Sequence, residues 1–367
     1  MTALTTETVI EQLKSISGLT PGMVSGIAID AGKVVFAIEI DPAKAKQFEP
    51  VRVAAETAVK KIPGVVSVMA VLTAEKNSPP TPQPQQQKQA LHKISSRPVA
   101  PHVKHIIAIA SGKGGVGKST VAANLAQAFV AMGKKTGLMD ADIYGASQPR
   151  MMGIRLHPET NENDMIVPPV AHGLKVMSMG FFVEETAPVI WRGPMVHSAI
   201  QQLLRDVDWG DLDMLVIDMP PGTGDAQLSL AQNVPLSGAV IVSTPQDVAL
   251  SEAKKGLLMF KKVNVPVLGL IENMSYHICS SCGHREDIFN HGGVRVAAEN
   301  LGVPFLGEIP LHVDVRIAAD AGTPLVAAQR NHVISDSFKN IAARIWTTLP
   351  AEKTTPRPPQ AGRSSAA

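Results

Sequence analysis

Cys279 and Cys282 are the only two cysteines of the chain, and they form a C-x-x-C pair. Soft metal ions and iron–sulfur clusters are usually held by four ligands, often thiolates. One copy of this chain offers two, so a metal bound there is completed most simply by a second copy related by a two-fold axis. A second device lies upstream. The run Ser111 to Thr120, SGKGGVGKST, contains G-x-x-x-x-G-K-[ST]. It follows the apolar stretch Ile106–Ala110 and precedes a helical pattern carrying Val121, Leu125 and Met132. In such a loop Gly112, Gly114, Gly115 and Gly117 let main-chain N–H groups, including those at Val116 and Thr120, converge on phosphate oxygens. The helix start adds partial positive charge. Lys118 is expected to reach the β- and γ-phosphates of a nucleotide, and the Ser119 hydroxyl to ligate Mg²⁺. A glycine-rich turn without ligand is the plain alternative, and the strand before it and helix after it argue against that. Lys113 is either a solvated loop lysine or a lysine that crosses a dimer interface to the partner's nucleotide.

Two more acidic positions follow apolar runs. Asp140 and Asp142 lie two residues apart after Leu138 and Met139, on one side of an extended segment. One could hold Mg²⁺ through water while the other, Asp142 by preference, orients the attacking water. A simple turn cap is the alternative for Asp142. Met214–Ile217 ends at Asp218, the Walker B arrangement that puts a carboxylate near Mg²⁺. The following Pro220-Pro221-Gly222-Thr223-Gly224-Asp225 suits a switch that senses the γ-phosphate. Asn273, after the run Val267–Ile271, could read the adenine edge with its amide, with Glu308-Ile309-Pro310 as the other wall of that pocket.

The cysteine pair has three readings. It bridges an iron–sulfur cluster, it holds structural zinc shared between chains or completed by His277 or His284, or it is a redox dithiol. Redox pairs normally open a helix early in a thioredoxin-like unit, whereas this one follows a late strand and precedes Gly283. His277, His284 and His291 could equally be polar surface.

These residues need a scaffold. Candidate strands at Ile106–Ala110, Thr136–Met139, Lys175–Met179, Met214–Asp218, Ala239–Ser243 and Val267–Ile271 are mostly continuous apolar runs, as strands covered on both faces should be. Their alternation with helices predicts an α/β fold with a mainly parallel sheet, helices on both faces and ligands at the carboxyl ends of the strands. Residues 1–75 predict a small α+β domain. It has a helix over 4–17 with a capping box from Thr8 to Glu11, a hairpin of Val24–Ile29 and Val34–Ile40 around Asp30-Ala31-Gly32, a helix over Glu49–Ile62 and a strand Val65–Leu72. Residues 76–104 are rich in Pro and Gln and read as a linker, 105–350 as the nucleotide-binding domain, and 351–367 as a disordered tail.

The bulk properties exclude several classes. A net charge of +2 gives no global pull toward nucleic acid or an anionic membrane. Two cysteines cannot build a disulfide framework, so the setting reads as reducing. Glu7 and Glu11 near the start argue against a transit peptide, no stretch reaches the length of a membrane helix, and the expected location is cytoplasmic.

Taken together, Lys113 to Ser119, Asp140 to Gly145, Asp218 to Asp225, the run Ser243 to Leu250, and Asn273 to Tyr276 with Cys279 and Cys282 resemble the Mrp/ApbC iron–sulfur cluster carriers. These are deviant Walker A ATPases, grouped with MinD, ParA and the nitrogenase iron protein. The resemblance covers about residues 103–350, and the N-terminal region looks like the MIP18-type module. It implies a P-loop NTPase homodimer with one [4Fe–4S] cluster bridged by two C-x-x-C pairs, ATP at the P-loops, and exchange with a cluster-assembly scaffold and apo iron–sulfur proteins. By motif match, Lys113 acts in trans, Lys118 and Ser119 hold phosphate and Mg²⁺, Asp142 belongs to switch I, Asp218 to switch II, and Cys279 and Cys282 ligate the cluster. The N-terminal module has no cysteine to offer a cluster and is expected to dock partners. Two competing functions remain. One is a positioning ATPase of the MinD/ParA kind, which works by binding a surface and often uses a terminal amphipathic helix for membranes; the helix near Ser335–Leu349 has only Lys339 and Arg344 as basic residues. The other is a metabolic P-loop enzyme, for which no second substrate pocket is marked.

Overall fold

The computed structural model describes residues 4–30, 32–40, 45–74, 99–143, 145–182, 193–279 and 281–349. The linker over 76–98, Ala31, Tyr144, the tail 351–367 and the side chains of Asp30 and Asp225 lie outside the described residues.

The N-terminal part runs α1 (Thr6–Leu13), β1 (Val24–Asp30), β2 (Lys33–Ile40), α2 (Ala45–Lys60) and β3 (Ser67–Ala74). Its sheet has the order β1-β2-β3, antiparallel then parallel. The capping box sits three residues earlier than the Thr8–Glu11 spacing suggested. Thr5 caps α1, and the Thr8 hydroxyl answers by accepting the Thr5 N–H at 2.9 Å. The helix is correspondingly short. α2 starts at Ala45, so Pro50 lies inside the helix and not at its beginning.

The larger part contains β4 (Val103–Ala110), α3 (Lys118–Ala131), β5 (Thr136–Asp140), α4 (Gln148–Met151), β6 (Glu159–Thr160), β7 (Ile166–Val167), β8 (Val170–Ala171) and β9 (Leu174–Ser178). It continues with α5 (Gly193–Asp206), β10 (Leu212–Asp218), α6 (Asp225–Asn233), β11 (Gly238–Ser243), α7 (Asp247–Lys262), β12 (Val267–Ile278) and β13 (Arg285–Glu286). The last elements are α8 (Gly293–Leu301), β14 (Phe305–Leu311), α9 (Val313–Asp320), α10 (Leu325–Ala328) and α11 (Val333–Thr348). β4 begins at Val103 and Ala100 is buried, so the structured part reaches back into the stretch read as linker.

Seven strands pair in parallel in the order β14-β12-β11-β4-β10-β5-β9, with β13 and β8 added antiparallel. Both faces are covered, which explains the continuous apolar runs. Ile107 and Ile109 of β4 pack with Leu125 and Phe129 of α3 and Phe338 and Ile345 of α11. Ile106, Ala108 and Ala110 face the opposite side, toward Leu203 of α5, Leu230 of α6 and Leu257 of α7. Among the described residues no helix is long and apolar enough to cross a membrane. Phe338, Ile341 and Ile345, the apolar face of the terminal helix, are buried against the sheet.

The small sheet is also two-faced. Val34, Phe36 and Ile38 pack with Val9, Leu13, Ala55 and Val59 of its own helices. Val35, Ala37, Met69 and Val71 join the cluster that contains Ala199, Ile200 and Leu203 of α5. The Ser198 hydroxyl adds a 3.0 Å hydrogen bond to the Leu72 carbonyl.

Candidate functional site

Three neighbouring strands bring the acidic and basic residues together. β10 lies between β4 and β5, and its register sets Asp218 beside Ile109 on one side and Asp140 on the other. β4 delivers the chain directly into the loop Ser111–Gly117 and α3 starts at Lys118. Two glycines of this loop are required by close approach. A Cβ on Gly112 would overlap the main chain of Glu252 and Ala253 in α7, and one on Gly117 would overlap the Asn273 amide. Gly117 also has φ +81°, a left-handed conformation that glycine adopts without strain.

Lys118 is buried and its Nζ donates to Asp218 Oδ1 at 2.6 Å, with Asp142 Oδ2 at 3.9 Å and Ser119 Oγ at 3.3 Å. Asp218 is fully buried and accepts at Oδ2 from Gln148 Nε2 at 2.8 Å. Asp142 is held by the Gly145 N–H at 3.2 Å; burial pushes its carboxyl up, Lys118 opposes this and Asp218 adds to it. Asp140 does something different from Asp142. Its oxygens accept from the N–H groups of Asp142, Ser147 and Gln148 and from the Ser178 hydroxyl, at 3.0–3.2 Å. It therefore ties down the loop that carries Asp142. Burial, with the neighbouring Asp218 charge, pushes Asp140 up to about 7.

Lys113 lies outside this cluster, exposed at the loop surface, and its carbonyl accepts from Ser111 Oγ at 3.0 Å. Gly114 and Gly115 are exposed, Val116 is buried, and Thr120 is half-buried with its carbonyl bound by Asn124. Asn273 donates its amide to the Val116 carbonyl at 2.8 Å, so this donor braces the loop from beneath. Pro310 is buried in β14, the strand paired with β12 at Asn273 and Ile309. Glu308 accepts from His291 at 2.8 Å.

The cysteines sit elsewhere, at the tip where β12 turns into β13. His277 and Ile278 pair with Glu286 and Arg285, the Cys279 N–H donates to the His284 carbonyl at 2.9 Å, and the Gly283 N–H donates to the Cys279 carbonyl at 2.8 Å. Cys282 is exposed and Cys279 half-buried. The N–H groups of Cys282 and Ser281 and the Cys282 thiol all engage the Cys279 sulfur, pulling its pKa below the ordinary thiol value. A thiolate is the form that binds metal. Among the described residues, no third His, Asp or Glu joins the two sulfurs in a group whose ligand atoms all lie within 4.8 Å of one another. His277 is engaged at Nδ1 by the Leu311 carbonyl at 3.1 Å. Two other groups do meet that distance, and both serve structure. His312 and His332 accept main-chain N–H groups at the starts of α9 and α11, and Glu272 accepts those of Gly292 and Val294 at the start of α8.

Gln148, Gln227 and Asn124 were not singled out by their sequence context. Gln227 of α6 is buried and donates to the carbonyls of Pro220 and Ser111, joining the loop after Asp218 to the end of β4. The available signal was a glutamine on an otherwise apolar helix face.

Comparison with known proteins shows the family of both parts of the chain. A family profile described as NUBPL iron-transfer P-loop NTPase matches residues 102–346, and one described as iron-sulfur cluster assembly protein matches residues 8–70. The mouse (Mus musculus) iron-sulfur cluster transfer protein NUBPL is 54% identical over 249 residues, which is 67% of this chain and 78% of that protein. The iron-sulfur cluster carrier protein of Escherichia coli (strain K12) is 49% identical over 260 residues, 71% of this chain and 70% of that one. A solved nucleotide-binding protein from Archaeoglobus fulgidus, in complex with ADP and with Co, superposes with a TM-score of 0.57 at 34% identity, covering 68% of this chain and 93% of that chain. The cell division ATPase MinD of Pyrococcus furiosus shares the fold at a TM-score of 0.51 and 24% identity, over 66% and 99% of the two chains.

Proposed function

This chain belongs to the NUBPL iron-transfer P-loop NTPase family, and from that premise we propose that it is an ATP-dependent iron–sulfur cluster carrier. Its cargo is a [4Fe–4S] cluster bridged between two copies and handed to apo iron–sulfur proteins after loading from an assembly scaffold. The observation that carries this is the hairpin tip. It presents two thiols, one with its thiolate favoured by main-chain N–H groups, and no third described ligand beside them.

The nucleotide half follows from the buried cluster of charges. Lys118 exchanges Asp218 for the phosphates of ATP, and Asp142 orients the attacking water. Lys113, exposed on the loop, neutralises charge on the partner's nucleotide. The site fits Mg²⁺: Ser119 Oγ and the carboxylates of Asp142 and Asp218 are hard oxygen donors gathered around Lys118. When bound, Mg²⁺ would neutralise phosphate charge, and Ser119 and Asp218 would be the residues that hold it. Pro310 lines the base side of the nucleotide, and Asn273 supports that side through the Val116 carbonyl of the phosphate loop. Hydrolysis is slow and gated by the loops after Asp140 and Asp218, and the setting is the reducing cytoplasm. The positioning-ATPase alternative often uses a terminal amphipathic helix on membranes, and the apolar face of α11 is already buried against the sheet.

Anaerobic reconstitution with iron and sulfide counting, together with mass in solution, tests the carrier reading. Wild type is expected to load one cluster per dimer. Cys279→Ser and Cys282→Ser are each expected to lose it. A monomer with a full complement of iron and sulfide would overturn the proposal.

A further inference from the structure

Gln148 is the residue where three motifs meet. It opens α4 and is fully buried. Its main-chain N–H donates to Asp140 Oδ2 at 3.1 Å. Its side-chain Nε2 donates to Asp218 Oδ2 at 2.8 Å and to the Ser119 carbonyl at 2.9 Å. Both of those partners are acceptors, which fixes the amide orientation and leaves Oε1 facing the other way. Oε1 is buried and has no hydrogen-bond partner. A buried acceptor left unmet is costly, and in a native protein it calls for a water or a ligand.

Ser119, Asp142 and Asp218 are oxygen donors suited to Mg²⁺, an ion that usually keeps several of its waters when it binds with a nucleotide. Asp218 faces a change of partner if Lys118 turns from Oδ1, which it holds at 2.6 Å, to a phosphate. We propose that Gln148 is a positioning residue of the magnesium–nucleotide state: Nε2 keeps Asp218 in place once Lys118 has left it. The proposal rests on the ATP-dependent reading of the site and adds a residue to it. It also explains why a glutamine occupies a fully buried position between two carboxylates.

The test is the Mg²⁺ dependence of nucleotide affinity, measured with a fluorescent ATP analogue on the cluster-free full chain, in EDTA and across a Mg²⁺ titration. Gln148→Met matches the side-chain length without polar atoms. It is expected to reduce the Mg²⁺-dependent gain in affinity about tenfold, the lower end of what loss of a residue supporting a metal ligand costs. Gln148→Asn keeps the amide one methylene short and is expected to show the same loss. Variants that keep the wild-type Mg²⁺ response overturn the proposal. So do variants that lose affinity equally with and without Mg²⁺, because that pattern marks a purely structural residue. Cluster loading is read separately at Cys279 and Cys282, so either result leaves the carrier reading standing. A wild-type chain that bound no nucleotide in either condition would remove the ATP-dependent reading and this proposal together.

Discussion

The ion pair between Lys118 and Asp218 is closed at 2.6 Å, with Asp218 fully buried. Removing one partner of such a pair strands the other charge in a poorly solvated place. Lys118→Ala is therefore expected to destabilise the nucleotide-free protein by about 3–5 kcal/mol, read by urea unfolding, and to abolish cluster delivery in a transfer assay with an apo-acceptor. Unchanged stability would show that the pair is open in solution. Asp140 offers a second residue-level test. Its carboxyl is pushed up to about 7 by burial and by Asp218, against about 4 in an unfolded chain. Between those values the native state binds a proton that the unfolded state has released. The contribution to stability is thus full below about pH 4 and is lost as pH rises toward 7. Urea unfolding of nucleotide-free protein at pH 5 and pH 7.5 should show the decline, and Asp140→Asn should flatten it. A wild-type stability that rose across this window would contradict the assignment.

At the scale of elements, the phosphate loop is wedged between α7 and β12. Gly112 abuts the main chain of Glu252, which cannot swing aside as a side chain could, whereas a Cβ on Gly114 would meet nothing within 4 Å. Gly112→Ala is expected to cost about 2 kcal/mol or more in thermal or urea unfolding, and Gly114→Ala much less. Equal effects would mean that α7 yields. This contrast also shows what was legible in the sequence. The loop, the strands that end at Asp140 and Asp218, and the helix after Gly117 are written in local patterns, because motif and hydrophobic run lie within a few residues. The parts that were missed depend on distant partners. β12 continues to Ile278 because Leu311 and Arg285 supply partners to its polar half, and Glu308-Ile309-Pro310 reads as a pocket wall until it is seen within β14, paired with β12. Asp140 and Asp142 look equivalent by spacing. Only the fold of residues 145–148 back over Asp140 separates a carboxylate that holds a loop from one that faces Lys118. Gln148 gains its role from three segments far apart in sequence.

The whole molecule is organised by surfaces that each need a partner. The small sheet has one apolar face for its own helices and another that α5 covers. α5 in turn packs on α6, the helix that follows the loop after Asp218. The partner-docking role expected for the N-terminal module therefore cannot use this second face while α5 occupies it. Met69 is 3% exposed and lies in that contact, so Met69→Asp places an unpaired carboxylate where none can be solvated, a change worth several kcal/mol. The strand's other face keeps its packing on Val9, Leu13, Ala55 and Val59, so the expected result is separation of the two parts with both still folded. Small-angle scattering should then show a larger radius of gyration at unchanged circular dichroism. The thiols sit on the β12–β13 tip, outside the cluster that contains Met69, so anaerobic loading should still give wild-type iron per dimer. An unchanged radius in a folded variant would show that the module is held by something other than this apolar face. Loss of iron alongside separation would show that the module, though it has no cysteine, shapes the cluster site.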